Sequence, residues 1–379
     1  RSDKTREGLL YAGTEWGMFI SFDDGNSWKS FQLNLPISSI RDLHVKENHL
    51  IAATHGRSFW MIDDLSTLHQ LNNSLDLQDF HLFEPNSAYR LSQSNESKNT
   101  NYRLVGKNHP NGAILHFYIN KLKEGDKISL EIKEKNGKLI QRFSNTATTN
   151  SLNPEADLPL NVKSGSNRLV WNMRYPGFKE FDGMVFYSSP NIGPKAIPGE
   201  YTISLNYNGR NKDQTLQIIK DPRLTNTDQD YKNQFDFLIN VRDQVSRANS
   251  TIIKIHEVQK DLNYLKDKSE ITDEIKDYIN RFEKELDIIE NTIHMTKNQS
   301  RQDPLNYGIR INNRIAFLLA DSQRGDYPPT NQAVEFFTEI TEELNQQIQA
   351  LNNLIEVNLP ELNKMISNNK IEIFSMRNP

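Results

Sequence analysis

Few residues in this chain have types and spacings suited to chemistry. Asp23 and Asp24 are neighbouring acids inside Ser21-Phe22-Asp23-Asp24-Gly25-Asn26-Ser27-Trp28, a stretch with the pattern S-x-D-x-G-x-S-W. Glycosidic cleavage needs two carboxyls roughly 5–10 Å apart that face each other across one bond. Two chain neighbours on a hairpin do not present that way, so the pattern is expected to be structural. Ser21 and Asp23 can bond backbone N–H groups of a turn, Gly25 can supply a positive φ, and Trp28 is expected to fold beneath as an apolar plug. A second group is Glu15, Trp16, His55 and Arg57. Glu15-Trp16 follows one strand-like run, and His55-Gly56-Arg57 holds the equivalent place after a later one. If those strands are inner ones, the two loops share a mouth where a sugar or peptide could bind, with Arg57 taking a carboxylate. The plainer reading pairs Arg57 with Asp63 or Asp64 and leaves His55 to shape its turn. Asp63-Asp64, which could also be read as a calcium pair, is expected to cap the turn into Leu65-Ser66-Thr67.

Other chemistries lack their residues. His44, His49, His69, His81, His109, His116, His256 and His294 are scattered, with no H-x-x-x-H pair, and there is no cysteine. No metal and no cofactor is expected. The sequence has no G-x-S-x-G elbow, phosphate-binding loop or dinucleotide glycine pattern. A net charge of -4 gives no electrostatic case for nucleic acid, and from Asp221 onward 26 acids stand against 19 bases. No apolar run is long enough to span a membrane.

The elements that must position these residues begin at once. Leu9–Thr14, Gly17–Ile20 and Lys29–Leu33 read as three short strands, as do Ile40–Val45, Leu50–Thr54 and Ser58–Ile62. The pair "LLYAGTEWGMFISFDDGNSW" and "LIAATHGRSFWMIDDL" resembles the last two blades of the bacterial sortilin-like (VPS10-type, BNR-repeat) β-propeller proteins common in Bacteroidota. The resemblance makes the S-x-D-x-G-x-S-W stretch an Asp-box, set on the propeller's periphery away from the axial cleft. A ring takes roughly four to eight blades, so the chain is expected to be the C-terminal part of a longer protein, with the remaining blades in its own N-terminal part or in a separate chain. The resemblance implies an extracytoplasmic scaffold or recognition protein without catalysis, binding a protein, peptide or glycan. The alternative is a glycoside hydrolase, sialidase- or xyloglucanase-like, whose acids lie on blades outside this chain. A third possibility is a secretion accessory that holds peptides in the propeller channel. The cysteine-rich module that follows the propeller in eukaryotic sortilins has no counterpart here.

Beyond these blades, assigned to residues 1–84, a polar connector is expected over 85–105, with Gln93–Asn99 at its heart. An immunoglobulin- or fibronectin-like sandwich is expected over 106–220. Its strands are placed at Ala113–Asn120, Lys127–Glu134, Lys138–Ser144, Arg168–Arg174, Tyr201–Tyr207 and Gln214–Lys220, with Asn136-Gly137 and Asn208-Gly209 as hairpin turns. "GSNRLVWNMRYPG" and "IPGEYTISLNYNG" are similar to FlgD-type Ig-like domains, which implies a core tryptophan. The excursion Phe178–Pro194 carries Phe181, Met184, Phe186 and Tyr187 and is expected to pack on a neighbouring domain.

From Thr227, with Asp230 as capping-box partner, apolar residues recur every three or four positions. Three long helices and one short one over 221–372 make an antiparallel bundle or a coiled-coil hairpin with a seam for a protein partner. Pro360 is expected to kink or restart the last helix. A tail covers 373–379.

Overall fold

The computed structural model describes residues 1–71, 78–91, 109–148 and 152–369. The connector's centre, Gln93–Asn99, and the tail at 373–379 lie outside the described residues. The protein is mixed α/β, with four sheets among the described residues and a helical C-terminal region. It divides into two compact units. One comprises Arg1–Thr146, Pro159–Asn172 and Gly199–Ile219, the other Ala147–Leu158, Met173–Pro198 and Lys220–Pro379.

The first unit opens with β1 (Leu10–Thr14), β2 (Gly17–Ser21) and β3 (Lys29–Ser30), an antiparallel sheet in chain order. Residues Arg1–Asp3 run along the free side of β1, where Ser2 bridges Leu10 and the Asp3 N–H donates to the Leu9 carbonyl. The next sheet is β4 (Ile40–Lys46), β5 (His49–Thr54) and β6 (Phe59–Ile62), again in chain order. Strand alternation puts Tyr11, Met18 and Ile20 on one face of the first sheet. Leu43, Val45, Leu50 and Ala52 lie on the facing side of the second, and all seven are buried in one core. A short helix, α1 (Ser66–Gln70), closes this region. Asp3 ties it down, accepting from the Tyr11 hydroxyl at 2.9 Å while lying 3.1 Å from His69 Nε2.

Glycine at position 13 is a packing requirement. A Cβ there would lie 2.6 Å from Ile40 Cγ2, closer than real side chains come. Gly13→Ala is therefore expected to cost about 1–3 kcal/mol through overpacking. Ile40→Ala on the same background should recover part of that loss in urea unfolding. Simple additivity of the two changes would show that the sheets do not meet here.

The remaining strands of this unit form two further sheets. β7 (Phe80–Leu82), β9 (Ala113–Ile119) and β13 (Gly165–Trp171) take the order β13-β9-β7. β8 (Ala88–Arg90), β10 (Ile128–Glu134), β11 (Leu139–Ser144), β12 (Leu158–Pro159), β14 (Gly199–Tyr207) and β15 (Arg210–Lys220) take the order β12-β11-β10-β14-β15-β8. Residues of β9 and β10 alternate between buried and half-buried, as the sequence pattern requires. The boundary expected at 84 falls earlier. Phe80–Leu82 pairs with β9 and Ala88–Arg90 joins the edge of the six-stranded sheet, so both ends of the expected connector's approach are strand. Their brevity hid them.

The second unit holds α2 (Asp228–Lys266), α3 (Asp273–Ile293), α4 (Pro304–Tyr307), α5 (Ile311–Asp321) and α6 (Asn331–Asn368). Thr227 and Asp230 form a reciprocal capping box at the start of α2. Pro360 does not restart α6; the helix runs through it, with Leu351, Leu362 and Ile366 buried on both sides. Continued burial of the stripe outweighs one missing backbone hydrogen bond. Met173–Pro198 leaves the expected sandwich and belongs with the helices. Phe178 and Phe181 enter the helical core, and side chains satisfy the segment's backbone. Asn313 Oδ1 accepts from Tyr187 N–H at 2.8 Å while its Nδ2 donates to the Tyr187 carbonyl at 3.1 Å. Asn191 grips Phe178 in the same two-sided way. The expected apolar excursion is thus largely buried and offers no exposed patch of its own. No helix among the described residues is long and apolar enough to cross a membrane.

Candidate functional site

The Asp-box closes on itself. Ser21 is buried, and its Oγ accepts from Gly25 N–H at 2.9 Å and donates to Asp23 Oδ1 at 2.8 Å. Asp23 also accepts from the Ser27 N–H at 2.9 Å and from the Ser27 hydroxyl. The Ser27 hydroxyl and N–H, with the Ser21 hydroxyl, hold the Asp23 carboxyl below the usual carboxylate range. Asp24 and Gly25 take φ of 57° and 88°, and Asp24 N–H reaches the Gly8 carbonyl. Trp28 departs from expectation. Its indole N–H bonds the Gly25 carbonyl, yet the side chain is 43% exposed, so it lies over the turn instead of plugging a core. Asp23 thus spends three hydrogen bonds on its own turn, which is a structural use of the carboxylate.

The loops carrying the other four residues share one device. Thr14 Oγ1 donates to the Gly17 carbonyl and accepts from Trp16 N–H at 3.1 Å. Thr54 Oγ1 donates to the Ser58 carbonyl and accepts from Arg57 N–H at 3.1 Å. The second loop is one residue longer, and Gly56 and Ser58 absorb the extra length at φ of 78° and 66°. Each threonine fixes its turn from within, so the side chains beyond it are presented on rigid backbone. Glu15-Trp16 and His55–Arg57 therefore do occupy equivalent loops. The strands before them differ from the inner position considered above: β5 is the central strand of its sheet, and Arg1–Asp3 flanks β1.

Both loops lie at the same end of the paired sheets. Gly13 abuts Ile40, which pairs with Thr54, and His55 N–H donates to the Ser39 carbonyl at 2.8 Å. The segment joining β3 to β4 crosses this end. Gln32 pins it there, accepting from Met18 N–H and donating to the carbonyls of Leu35 and Pro36. Trp16 and Ile37 stand 80% and 79% exposed. Glu15, Arg41, His55 and Arg57 are exposed as well, and Arg41 Nε approaches His55 Nδ1 at 3.4 Å. Arg57 forms no ion pair with Asp63 or Asp64 among the described residues. Asp64 instead accepts from Ser66 N–H at the head of α1 and from the side-chain amides of Asn48 and Asn86. Ile37, Gln32 and Arg41 were not legible as site residues, since an apolar residue in a loop carries no periodic signal. Among the described residues no group of three or more His, Asp or Glu is gathered to hold a metal.

The sequence matches no family model and no curated protein. Among solved structures it is similar to one titled pT26-6p, at 12% identity and a TM-score of 0.14, with 90% of this chain and 66% of that chain covered. The chain spans just under two thirds of that structure's length, and a likeness at that score carries no argument about fold or function.

Proposed function

We propose that β1–β6 are two consecutive blades of a sortilin-like Asp-box propeller, followed by an Ig- or fibronectin-like sandwich and an antiparallel helical bundle. On this reading the protein is an extracytoplasmic, non-catalytic recognition protein that takes an extended peptide segment at the hairpin end. The observation that carries the reading is that end itself. Two exposed apolar side chains, Trp16 and Ile37, stand among Glu15, Arg41, His55 and Arg57 on turns locked by Thr14, Thr54 and Gln32. An aromatic anchor ringed by charges of both signs suits a peptide, whose apolar side chain fills the centre while its charges pair at the rim. Rigid backbone beneath lowers the ordering cost of binding. Self-satisfied Asp23 supports the absence of acid chemistry at the box.

The test is titration of the purified chain against a peptide library and a glycan panel by calorimetry. Trp16→Ala should weaken peptide binding by at least about 30-fold, the loss of a central anchor. Unchanged affinity in that variant would sink the hairpin-end reading. Glycan hydrolysis by the full assembly that carries the remaining blades would replace it with the hydrolase.

A further inference from the structure

One corner of the helical unit differs in chemistry from the rest of its surface. From Asp221 onward 26 acids stand against 19 bases, yet between His294 and Arg310 a single acid, Asp303, stands against Lys297, Arg301 and Arg310. Asp303 is spent on its own loop, accepting from the Gln299 and Ser300 N–H groups at 2.8 Å and from the Ser300 hydroxyl at 2.9 Å. The three cations are exposed, and none forms an ion pair among the described residues. Between them Leu305, Tyr307 and Ile309 stand in the open at alternate positions, 63%, 47% and 39% exposed. Lys297 Nζ lies 5.9 Å from the Tyr307 ring centre. Arg310 lines a surface depression with Lys284 and Ile288 of α3, and Ile288 is itself 61% exposed.

The turn under these side chains keeps its backbone donors bonded. Pro304 is buried and has no N–H. Leu305 N–H donates to the Gln302 carbonyl at 3.1 Å, Asn306 and Tyr307 to the Asp303 carbonyl at 2.8 and 3.0 Å, and Gly308 to the Pro304 carbonyl at 2.9 Å. Such a turn can leave bulk water without stranding an unpaired N–H.

We propose that this corner docks the protein on the surface of an anionic phospholipid bilayer. Leu305, Tyr307 and Ile309 enter the boundary between headgroups and acyl chains, while Lys284, Lys297, Arg301 and Arg310 meet the lipid phosphates. Charge complementarity selects the occupant together with the apolar side chains. Free phosphate or an acidic peptide would engage the cations and leave three separate apolar tips in water, whereas an anionic bilayer takes up both. Fluid lipid admits each tip by itself, and tyrosine favours that interface. The protein lies on the membrane and does not cross it by this corner. The inference goes beyond the peptide-binding reading and stands on other residues, so either can fail alone.

The test is flotation of the purified chain with vesicles of phosphatidylcholine alone, or with about one lipid in three replaced by phosphatidylglycerol. Binding to the mixed vesicles is expected, at least about tenfold weaker on phosphatidylcholine and weakened by salt. Lys297→Glu with Arg301→Glu should weaken it at least about 30-fold, and Leu305→Ser with Ile309→Ser at least about tenfold. Lys364→Glu, exposed near the C-terminal end of α6, should leave it unchanged. The chain has no cysteine, so Leu305→Cys gives a unique attachment point for an environment-sensitive dye. On mixed vesicles that dye should shift to the blue and be quenched by spin-labelled lipid, and the same dye at Lys364→Cys should not. Failure to float with the mixed vesicles would overturn the proposal, as would a dye at 305 that stays in water on the bound chain. Binding that survives Leu305→Ser with Ile309→Ser would also overturn it, as would polyglutamate displacing the chain from the vesicles and binding that double variant as tightly as the parent. The last result would assign the corner to an acidic polypeptide.

Discussion

Alanine in place of Trp171 is expected to lower the unfolding free energy of the β-rich unit by about 3–5 kcal/mol. Trp171 is the last residue of β13 and is buried, paired in register with Ala113. Its ring meets Tyr201 of β14 edge to face with centroids 5.8 Å apart, so it links the β13-β9-β7 sheet to the six-stranded one. Such a contact adds to the area it buries. The backbone around it has no slack with which to collapse into the space left behind. A Cβ on Gly112 would come within 2.3 Å of the Trp171 carbonyl oxygen, so the chain already passes at its closest there. A large residual cavity is therefore the expected outcome, and cavity volume sets where in the range the cost falls. Urea unfolding followed by near-ultraviolet circular dichroism would measure it, and Trp171→Phe should recover more than half of the loss. A cost under about 1 kcal/mol would mean that the indole does not join the two sheets.

That core tryptophan was legible through the likeness of "GSNRLVWNMRYPG" to FlgD-type Ig-like domains, which implies one, while strand alternation and turn chemistry located the strands around it. Asn136-Gly137 joins β10 to β11 and Asn208-Gly209 joins β14 to β15 in the structure, and each strand expected between 113 and 220 is present within a few residues of its expected ends. The helices were legible for the same reason, since Thr227, Thr272 and Thr330 each cap a helix whose buried residues repeat at three and four. What the pattern could not carry is non-local. Phe178 and Phe181 lie in a segment without periodicity, and only the helices they pack against reveal that the segment belongs with them. β7 and β8 are three residues each, too short for alternation to show. The hairpin end was half legible. Glu15, Trp16, His55 and Arg57 stood out by residue type, whereas Ile37 reaches the same surface only because Gln32 folds its loop back.

Asn312→Ala is expected to destabilise the helical unit by about 3 kcal/mol or more, because it strands several buried polar groups at roughly 1–3 kcal/mol each. Asn312 is fully buried. Its Nδ2 donates to Asn249 Oδ1 at 3.1 Å and to His294 Nδ1 at 3.2 Å, and its Oδ1 accepts from Asn313 N–H at 2.8 Å. Asn249 in turn donates to the Lys179 carbonyl, fixing the segment that carries Phe181. Phe181 meets the rings of His294 and His256 edge-on, at 4.9 and 5.8 Å. A loss below about 1 kcal/mol would show that water reaches these groups and takes over from Asn312.

The same cluster gives the unit a dependence on pH with two opposed arms. Burial holds His294 neutral and its pKa below the usual 6.5, with only the nearby Glu290 and the Asn312 hydrogen bond pulling the other way. As pH falls through 6.5 the unfolded chain takes up a proton that the folded chain refuses, so stability drops with acidification down to the folded pKa. His256 runs in the other sense. Its 2.7 Å hydrogen bond to Glu290 raises its pKa, so its contribution is complete below 6.5 and is lost as pH rises through the raised value. His294→Gln is expected to flatten the acid arm and His256→Gln the neutral one, read as denaturant midpoints from pH 5 to 8. An acid arm that survives His294→Gln would place its origin in the carboxylates instead.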